Sequence, residues 1–165
     1  MPVNPSEILD ARSRILDRET LIAKTKEAKQ AQQTVVLTNG CFDVLHAGHI
    51  RYLQGARELG DILVVAINAD EQVKALKGNG RPILSEQQRA ELVASLEGVD
   101  FVTIFAEPTV AELLLAIQPD VHAKGTDYTE ETVPERDVVR SFGGRVAIVG
   151  DPKNHSTSEL LERLR

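Results

Sequence analysis

The sequence contains one cysteine, Cys41, and no tryptophan among its 165 residues. A single cysteine cannot form an internal disulfide bond, so we expect a reducing, cytoplasmic environment. No apolar run approaches the roughly 20 residues that a membrane-spanning helix requires. The first residues also lack the basic and apolar stretches of a signal peptide. These absences argue against a membrane partner and against a disulfide-stabilised secreted protein.

Positive charge is scarce as well. The chain has 19 Lys and Arg against 25 Asp and Glu, which gives a formal net charge of −6. Nucleic-acid-binding surfaces depend on clustered Lys and Arg, so we expect no nucleic-acid partner. A small phosphorylated ligand needs only a local basic pocket and stays compatible with this balance. With 42% hydrophobic residues, a chain of this length can bury the core of an ordinary domain.

Short apolar runs alternate with helical patterns along most of the chain. In the polar segment 6–33 we predict two short helices, the second beginning near Asp17 as its N-cap. Ser85 with Gln88, and Thr109 with Glu112, have the spacing of capping boxes. Five strands are predicted at residues 34–38, 61–68, 101–105, 120–124 and 145–149. Helices are predicted at residues 48–59, 85–96, 109–118, 134–142 and 156–165.

This alternation is typical of an α/β protein. Right-handed crossovers between parallel strands place helices on both faces of one sheet. We therefore predict a Rossmann-like, doubly wound, five-stranded parallel sheet over residues 34–165. Residues 1–33 are predicted to form an N-terminal helical extension that packs on this domain or on a second copy of the chain.

The loop after the first strand carries the most informative motif. Residues 38–49 read T-N-G-C-F-D-V-L-H-A-G-H. In doubly wound sheets, ligands bind at the carboxyl ends of the strands, and the unpaired N–H groups of a helix start attract anions. His46 and His49 are three residues apart on the first helical turn, so both imidazoles lie on one face beside such an anion site. Gly40 permits a tight turn, and Gly48 permits the close approach of a phosphate.

The motifs of other nucleotide-binding folds are absent. There is no G-x-x-x-x-G-K-[ST] segment and no G-x-G-x-x-G after the first strand. Cys41, His46 and His49 do not have the spacing of a zinc site, so we predict no metal site built by protein side chains. The sequence shows no partner base for Cys41, which argues against its use as a nucleophile.

Residues 38–49 resemble the H-x-G-H signature of the nucleotidyltransferase superfamily, which includes glycerol-phosphate cytidylyltransferases and pantetheine-phosphate adenylyltransferases. The wording is most similar to that of the heptose-1-phosphate adenylyltransferase family, which also forms the C-terminal half of bifunctional heptose kinase/adenylyltransferases. Further matches are Arg81-Pro82 followed by Arg89, Lys124-Gly125 with Asp127-Tyr128, and the closing His155-Ser156-Thr157-Ser158. The chain is expected to be a stand-alone relative, without an attached kinase half.

The resemblance implies transfer of AMP from ATP to D-glycero-β-D-manno-heptose 1-phosphate, giving ADP-heptose for cell-surface lipopolysaccharide. A sugar phosphate oxygen would attack the α-phosphorus of ATP in line, and pyrophosphate would leave with Mg²⁺. Such transfers ask the protein for alignment and charge neutralisation rather than for a covalent nucleophile. The expected co-substrate is ATP with Mg²⁺, the other partner is a small sugar phosphate, and we expect a homodimer.

The resemblance also implies roles for individual residues. His46 and His49 would act on the α- and β-phosphates, and Lys74 or Lys77, in the loop after the second strand, would supply a mobile cation. Nucleotide-binding residues would be Thr38, Asn39, Gly40, Phe42, Gly48, Arg89, Ser156, Thr157 and Ser158. Acceptor-binding residues would be Asp43, Asn68, Asp70, Lys124, Gly125 and Asp127.

The sequence departs from this family pattern in two places. Thr126 stands where the family often has the second glycine of K-G-G-D-Y; because a β-branched residue resists positive φ, we expect a loop of different shape. Relatives specific for CTP commonly carry an arginine where this chain has Asp151-Pro152, which favours ATP. Two alternatives stay open: transfer to another acceptor, such as glycerol 3-phosphate or phosphopantetheine with ATP or CTP, and a non-catalytic nucleotide-binding module.

Overall fold

A computed structural model describes residues 10–152 and 157–164 of the chain. Within these residues, one sheet contains five strands: β1 (Val35–Gly40), β2 (Ile62–Asn68), β3 (Phe101–Phe105), β4 (Val121–Lys124) and β5 (Arg145–Ile148). The strand order is β3-β2-β1-β4-β5, and every neighbouring pair is parallel. The chain runs outward from β1 to β3 and then returns to place β4 on the other side of β1. The predicted doubly wound sheet is confirmed, and its order reverses between β1 and β4.

A single 3₁₀ turn at Ala11–Arg14 precedes the α-helices of the described residues. These helices are α1 (Arg18–Gln30), α2 (Ala47–Arg57), α3 (Asp70–Lys77), α4 (Glu86–Ala94), α5 (Ala111–Ile117), α6 (Arg136–Ser141) and α7 (Thr157–Arg163). One apolar cluster packs α2 and α4 on one face of the sheet. A second cluster packs α1, α5 and α6 on the opposite face. Among the described residues, no helix has both the length and the apolar character to cross a bilayer.

The cap residues explain where several helices begin. Asp17 caps α1 as predicted, and its carboxylate accepts the Thr20 N–H at 2.8 Å. The Ser85–Gln88 capping box at the start of α4 is also confirmed. The Thr109 capping box is wrong, because α5 begins at Ala111 with Val110 as an N-cap that makes no side-chain cap bond. The Thr109 hydroxyl instead accepts the Ala111 N–H at 3.3 Å.

Helix α3 is the main element that the sequence did not reveal. It follows β2 almost directly, with Ala69 as an N-cap that makes no side-chain cap bond. Lys74 and Lys77 therefore lie in a helix, and their predicted position in a loop is wrong. The helix is only eight residues long and has no side-chain cap, so neither length nor a capping motif marks it in the sequence.

The described part of the N-terminal segment packs directly on the sheet. Leu21 of α1 is fully buried in the same apolar cluster as residues of β1, β2 and α5. Ahead of α1, the Leu16 N–H donates to the Val102 carbonyl of β3 at 2.8 Å. The domain boundary at residue 33 stays a prediction.

Candidate active site

A cavity of about 280 Å³ opens at the carboxyl ends of β1 and β4, where the strand order reverses. Its lining comes from the loop after β1, the first turns of α2, the end of α3, and the loops after β4 and β5. The predicted site residues that it brings together are Asn39, Gly40, Phe42, His46, Gly48, His49, Lys77, Lys124, Gly125 and Asp127. The position of the cavity agrees with the general rule that ligands of doubly wound sheets bind where the strand order reverses.

His46 and His49 cap α2 reciprocally. His46 is the N-cap residue, and its Nδ1 accepts the Gly48 N–H at 3.1 Å. Nδ1 of His49 accepts the His46 N–H at 3.3 Å, and the two rings stack with their centroids 3.9 Å apart. A neutral imidazole carries one proton, so acceptance at Nδ1 assigns that proton to Nε2 in both rings. Each histidine is thereby given an Nε2–H donor, a group suited to phosphate oxygens.

Two glycines and one aromatic ring hold this arrangement close-packed. A Cβ on Gly40 would lie 2.9 Å from Cε2 of Phe42, and one on Gly48 would lie 2.9 Å from Cε1 of His46. Phe42 has a left-handed φ of 49°, and its ring contacts that of His49 at a centroid distance of 5.3 Å. Any larger residue at position 40 or 48 would therefore displace the rings.

Lys124, at the end of β4, adds a nearly buried cation to the lining of the cavity. It is 9% exposed, and its ammonium lies 4.8 Å from the centre of the Tyr128 ring. Burial lowers the pKa of Lys124, while the negative charges of Glu135 and Asp127 act to raise it. Lys77, at the end of α3, and Arg51 of α2 are the other cations in the lining, whereas Lys74 of α3 does not line the cavity.

Asp43 lies behind the cavity and binds the chain itself. It is 2% exposed and accepts hydrogen bonds from Arg81 Nε at 2.6 Å, Ile83 N at 2.8 Å and Leu84 N at 3.0 Å. Burial alone would raise the pKa of Asp43, but the Leu84 and Ile83 N–H groups and the Arg81 guanidinium outweigh it, so the pKa is lowered. Asp43 thus fastens the segment before α4 to the loop after β1.

Arg89 is the centre of a second buried network. It is completely buried and donates to the carbonyl oxygens of Cys41 and Asn68, each at 2.7 Å. It also donates to the Leu84 carbonyl at 3.0 Å and pairs with the Asp70 carboxylate at 2.8 Å. Carbonyl oxygens that follow β1 and end β2 thus converge on the guanidinium.

The remaining predicted site residues lie outside the lining or outside the described residues. Asp43, Asn68, Asp70, Arg89 and Thr38 do not line the cavity, and their ligand contacts stay predictions. The Thr38 side chain is fully buried. Ser156 lies outside the described residues, as do the side chains of Thr157 and Ser158, whose backbone opens α7.

Sequence reasoning missed a set of contacts between distant loops at the cavity mouth. Arg51 of α2 pairs with the Asp151 carboxylate at 2.9 Å, and the Thr126 hydroxyl donates to the Asp151 carbonyl at 2.8 Å. Thr126 is not among the non-glycine residues with positive φ. Its branched side chain is therefore accommodated without backbone strain, and the predicted difference in loop shape from the family stays a prediction. No local pattern reveals these contacts, because the partners are 25 and 100 residues apart.

The comparisons with known proteins agree with this geometry. The cytidylyltransferase-like family matches residues 37–162. Bifunctional protein HldE of Pelobacter propionicus is 45% identical over 98% of this chain and 35% of its own length. Bifunctional protein HldE of Syntrophotalea carbinolica is 46% identical over 94% of this chain and 32% of its own length. The chain thus spans about a third of the length of these relatives.

Two solved structures share the fold. A lipopolysaccharide core biosynthesis protein from Thermoplasma volcanium superposes with a TM-score of 0.61 at 27% identity, covering 73% of this chain and 99% of its own. Pantoate-beta-alanine ligase from Francisella tularensis, solved in complex with beta-gamma ATP and beta-alanine, also gives a TM-score of 0.61. That match, at 19% identity, covers 87% of this chain and 68% of the ligase, and supports the fold alone. The family match over most of the sequence and the two capping histidines at the strand-order reversal together identify the chain as a nucleotidyltransferase of the cytidylyltransferase-like family.

Proposed function

We propose that the chain transfers AMP from ATP to D-glycero-β-D-manno-heptose 1-phosphate, releasing pyrophosphate and giving ADP-heptose for lipopolysaccharide synthesis. The observation that carries the proposal is the reciprocal cap of His46 and His49, in which Nδ1 of each ring accepts a backbone N–H while both residues line the cavity at the start of α2. The similarity to the two bifunctional HldE proteins over nearly the whole chain supports the adenylyl branch of the family.

In this proposal the triphosphate lies at the start of α2. The Nε2–H groups of His46 and His49 donate to α- and β-phosphate oxygens, and these bonds strengthen as charge moves to the departing pyrophosphate. The ammonium of Lys77 adds positive charge from the end of α3. No side chain forms a covalent intermediate, because alignment and charge neutralisation suffice for this class of reaction.

The acceptor is assigned to the wall formed by the loop after β4. Lys124 is suited to the sugar phosphate, since its ammonium is held in a nearly dry position by the Tyr128 ring. Asp127, in the same loop, offers carboxylate oxygens to sugar hydroxyls. An acceptor with few hydroxyls, such as glycerol 3-phosphate, would leave part of this polar surface unpaired.

Mg²⁺ is proposed to enter with the triphosphate. The described residues contain no group of three or more His, Cys, Asp and Glu that could hold a metal ion. Phosphate oxygens and water would therefore supply its ligands, an arrangement that Mg²⁺ commonly adopts. Bound in this way, the ion would neutralise charge on the departing pyrophosphate.

Pyrophosphate release measured with a matrix of substrates tests the proposal. ATP, CTP and GTP are each combined with the heptose phosphate, glycerol 3-phosphate and phosphopantetheine. With ATP, we expect the heptose phosphate to exceed the other acceptors by at least about 100-fold in kcat/KM. ATP should exceed CTP by roughly tenfold or more, since a buried unpaired base contact costs about 1–3 kcal/mol.

The alternative outcomes are equally specific. The description of the family as cytidylyltransferase-like favours CTP as the second candidate, and equal or better use of CTP would establish it. Turnover with phosphopantetheine but not with the heptose phosphate would reject the acceptor and leave nucleotidyl transfer standing. Tight ATP binding without pyrophosphate release from any pair would reject the proposed reaction itself.

A further inference from the structure

Asn39 and His122 form a hydrogen bond under the floor of the cavity. His122 lies on β4 and is completely buried. Leu37 of β1 is its partner in the strand register, and Asn39 lies two residues farther along the same face of β1. The His122 Nε2 atom is 2.9 Å from the Asn39 Oδ1 atom. Asn39 itself lines the cavity whereas His122 does not, so this hydrogen bond connects His122 to the site.

The surroundings of His122 determine where its proton lies. Burial lowers the pKa of His122 to about 3, with a further contribution from the Lys124 ammonium, so the ring is neutral near pH 7. A neutral imidazole has one N–H group and one bare acceptor nitrogen. Nε2 faces an oxygen, which assigns the proton to Nε2. Nδ1 is then a bare acceptor, and it is buried with no partner among the described residues. The other tautomer would bury an unpaired N–H donor, which is rarer in proteins than an under-satisfied acceptor.

This bond fixes the two ends of the Asn39 amide. Because Oδ1 accepts from His122, the NH₂ group is the end of the amide left for the cavity that Asn39 lines. An amide NH₂ offers two donors, which suit phosphate oxygens, whereas a flipped amide would present an oxygen to the same anion. Lys124, on the same face of β4 as His122, adds a positive charge to this part of the cavity.

We propose that His122 is a positioning residue that locks the Asn39 amide with its NH₂ group toward the phosphate oxygens of the bound substrate. The inference rests on the proposed nucleotidyl transfer and extends it to a residue that touches no substrate. In this proposal His122 acts through Asn39, so its effect on turnover depends on an intact Asn39 side chain.

A double-mutant cycle tests this dependence. His122→Leu removes both ring nitrogens but keeps apolar bulk, while the amide nitrogen of His122→Gln can replace Nε2. We expect His122→Leu to lower kcat/KM for pyrophosphate release about tenfold, and His122→Gln to stay within about threefold of wild type. In an Asn39→Ala background, His122→Leu should cause no further loss. An equal loss in both backgrounds, or a His122→Leu enzyme within twofold of wild type, would overturn the proposal.

A spectroscopic measurement on the wild-type chain is independent of turnover. The chain has four histidines, and ¹⁵N-histidine labelling with NMR near pH 7 reports which nitrogen of each ring carries the proton. The His122 signals are those that disappear in His122→Gln. We expect a neutral ring protonated at Nε2; a ring protonated at Nδ1 would overturn the proposal. If the wild-type chain released no pyrophosphate with any substrate pair, the proposed function would fail. The NMR measurement of the His122 tautomer would still determine the orientation of the Asn39 amide in that case.

Discussion

In the proposed reaction, His46 and His49 would each use both nitrogens of one ring. Nδ1 accepts a backbone N–H at the start of α2 and fixes the ring, which assigns the other nitrogen to donation. We expect replacement of either histidine by Ala to lower kcat by roughly 100-fold or more, about 2.7 kcal/mol, with a much smaller effect on ATP affinity. Steady-state kinetics and calorimetric ATP binding measure the two effects. A His49→Ala enzyme with near-normal kcat would reject the assignment.

Asp43 shows at the same scale how a buried carboxylate makes stability depend on pH. Its pKa in the folded chain lies below the ordinary value of 3.8, so the unfolded chain binds this proton more tightly. The stabilisation is therefore complete above the unfolded value and is lost as the pH falls through the folded value. We expect Asp43→Asn to lower the free energy of unfolding by about 2 kcal/mol at pH 7, and by less as the pH falls below 3.8.

Asp137→Asn is a matched control for this measurement, because the Asp137 side chain is 89% exposed and its pairing with Arg136 is loose, at 3.7 Å. Urea unfolding of the control should differ from wild type by no more than about 0.5 kcal/mol at either pH. A loss in Asp43→Asn that stays constant down to pH 3 would show that the carboxylate charge contributes nothing to the clamp on the Ile83 and Leu84 N–H groups.

At the scale of elements, the loops after β4 and β5 meet through Thr126. Its hydroxyl donates to the Asp151 carbonyl, and the two loops together form one side of the cavity. Thr126→Val keeps the shape of the side chain and removes the donor. We expect it to raise the acceptor KM about five- to tenfold with kcat within about twofold, because a neutral hydrogen bond contributes about 1 kcal/mol. Thr126→Ser retains the hydroxyl and should keep the wild-type KM; equal values for both variants would reject the link.

The elements also show how far sequence reasoning extends. The parallel strands are buried on both faces, so β2 and β3 are visible in the sequence as short apolar runs. The motif that caps α2 is equally local, because it lies within the four adjacent residues from His46 to His49. Helix α3 is only eight residues long and its N-cap makes no side-chain bond, so the sequence contains no capping motif that marks its start. The position of Arg89 depends on carbonyl groups 48 and 21 residues away. Local spacing cannot reveal such long-range convergence.

At the scale of the whole molecule, the site depends on a sheet covered on both faces. Helix α1 covers one face, and its Leu21 is fully buried among residues of β1, β2 and α5. If residues 1–33 unfolded as a separate unit, truncation of the Leu21 side chain would not change the stability of the rest of the chain. The packing of Leu21 therefore predicts that α1 unfolds together with the sheet.

Leu21→Ala tests this coupling, and we expect it to lower the free energy of unfolding by about 3 kcal/mol. The control is Leu115→Ala on α5. The Leu115 side chain is 50% exposed, so this change should alter stability by about 0.5 kcal/mol or less.

The chain has two tyrosines and no tryptophan, and Tyr52 and Tyr128 both line the cavity. Tyrosine fluorescence thus reports the site, while far-ultraviolet circular dichroism reports all helices. In Leu21→Ala we expect both signals to shift to the same lower urea midpoint, as a single cooperative transition requires. A tyrosine transition that kept its wild-type midpoint would show instead that α1 is a separate unit and would support the boundary at residue 33.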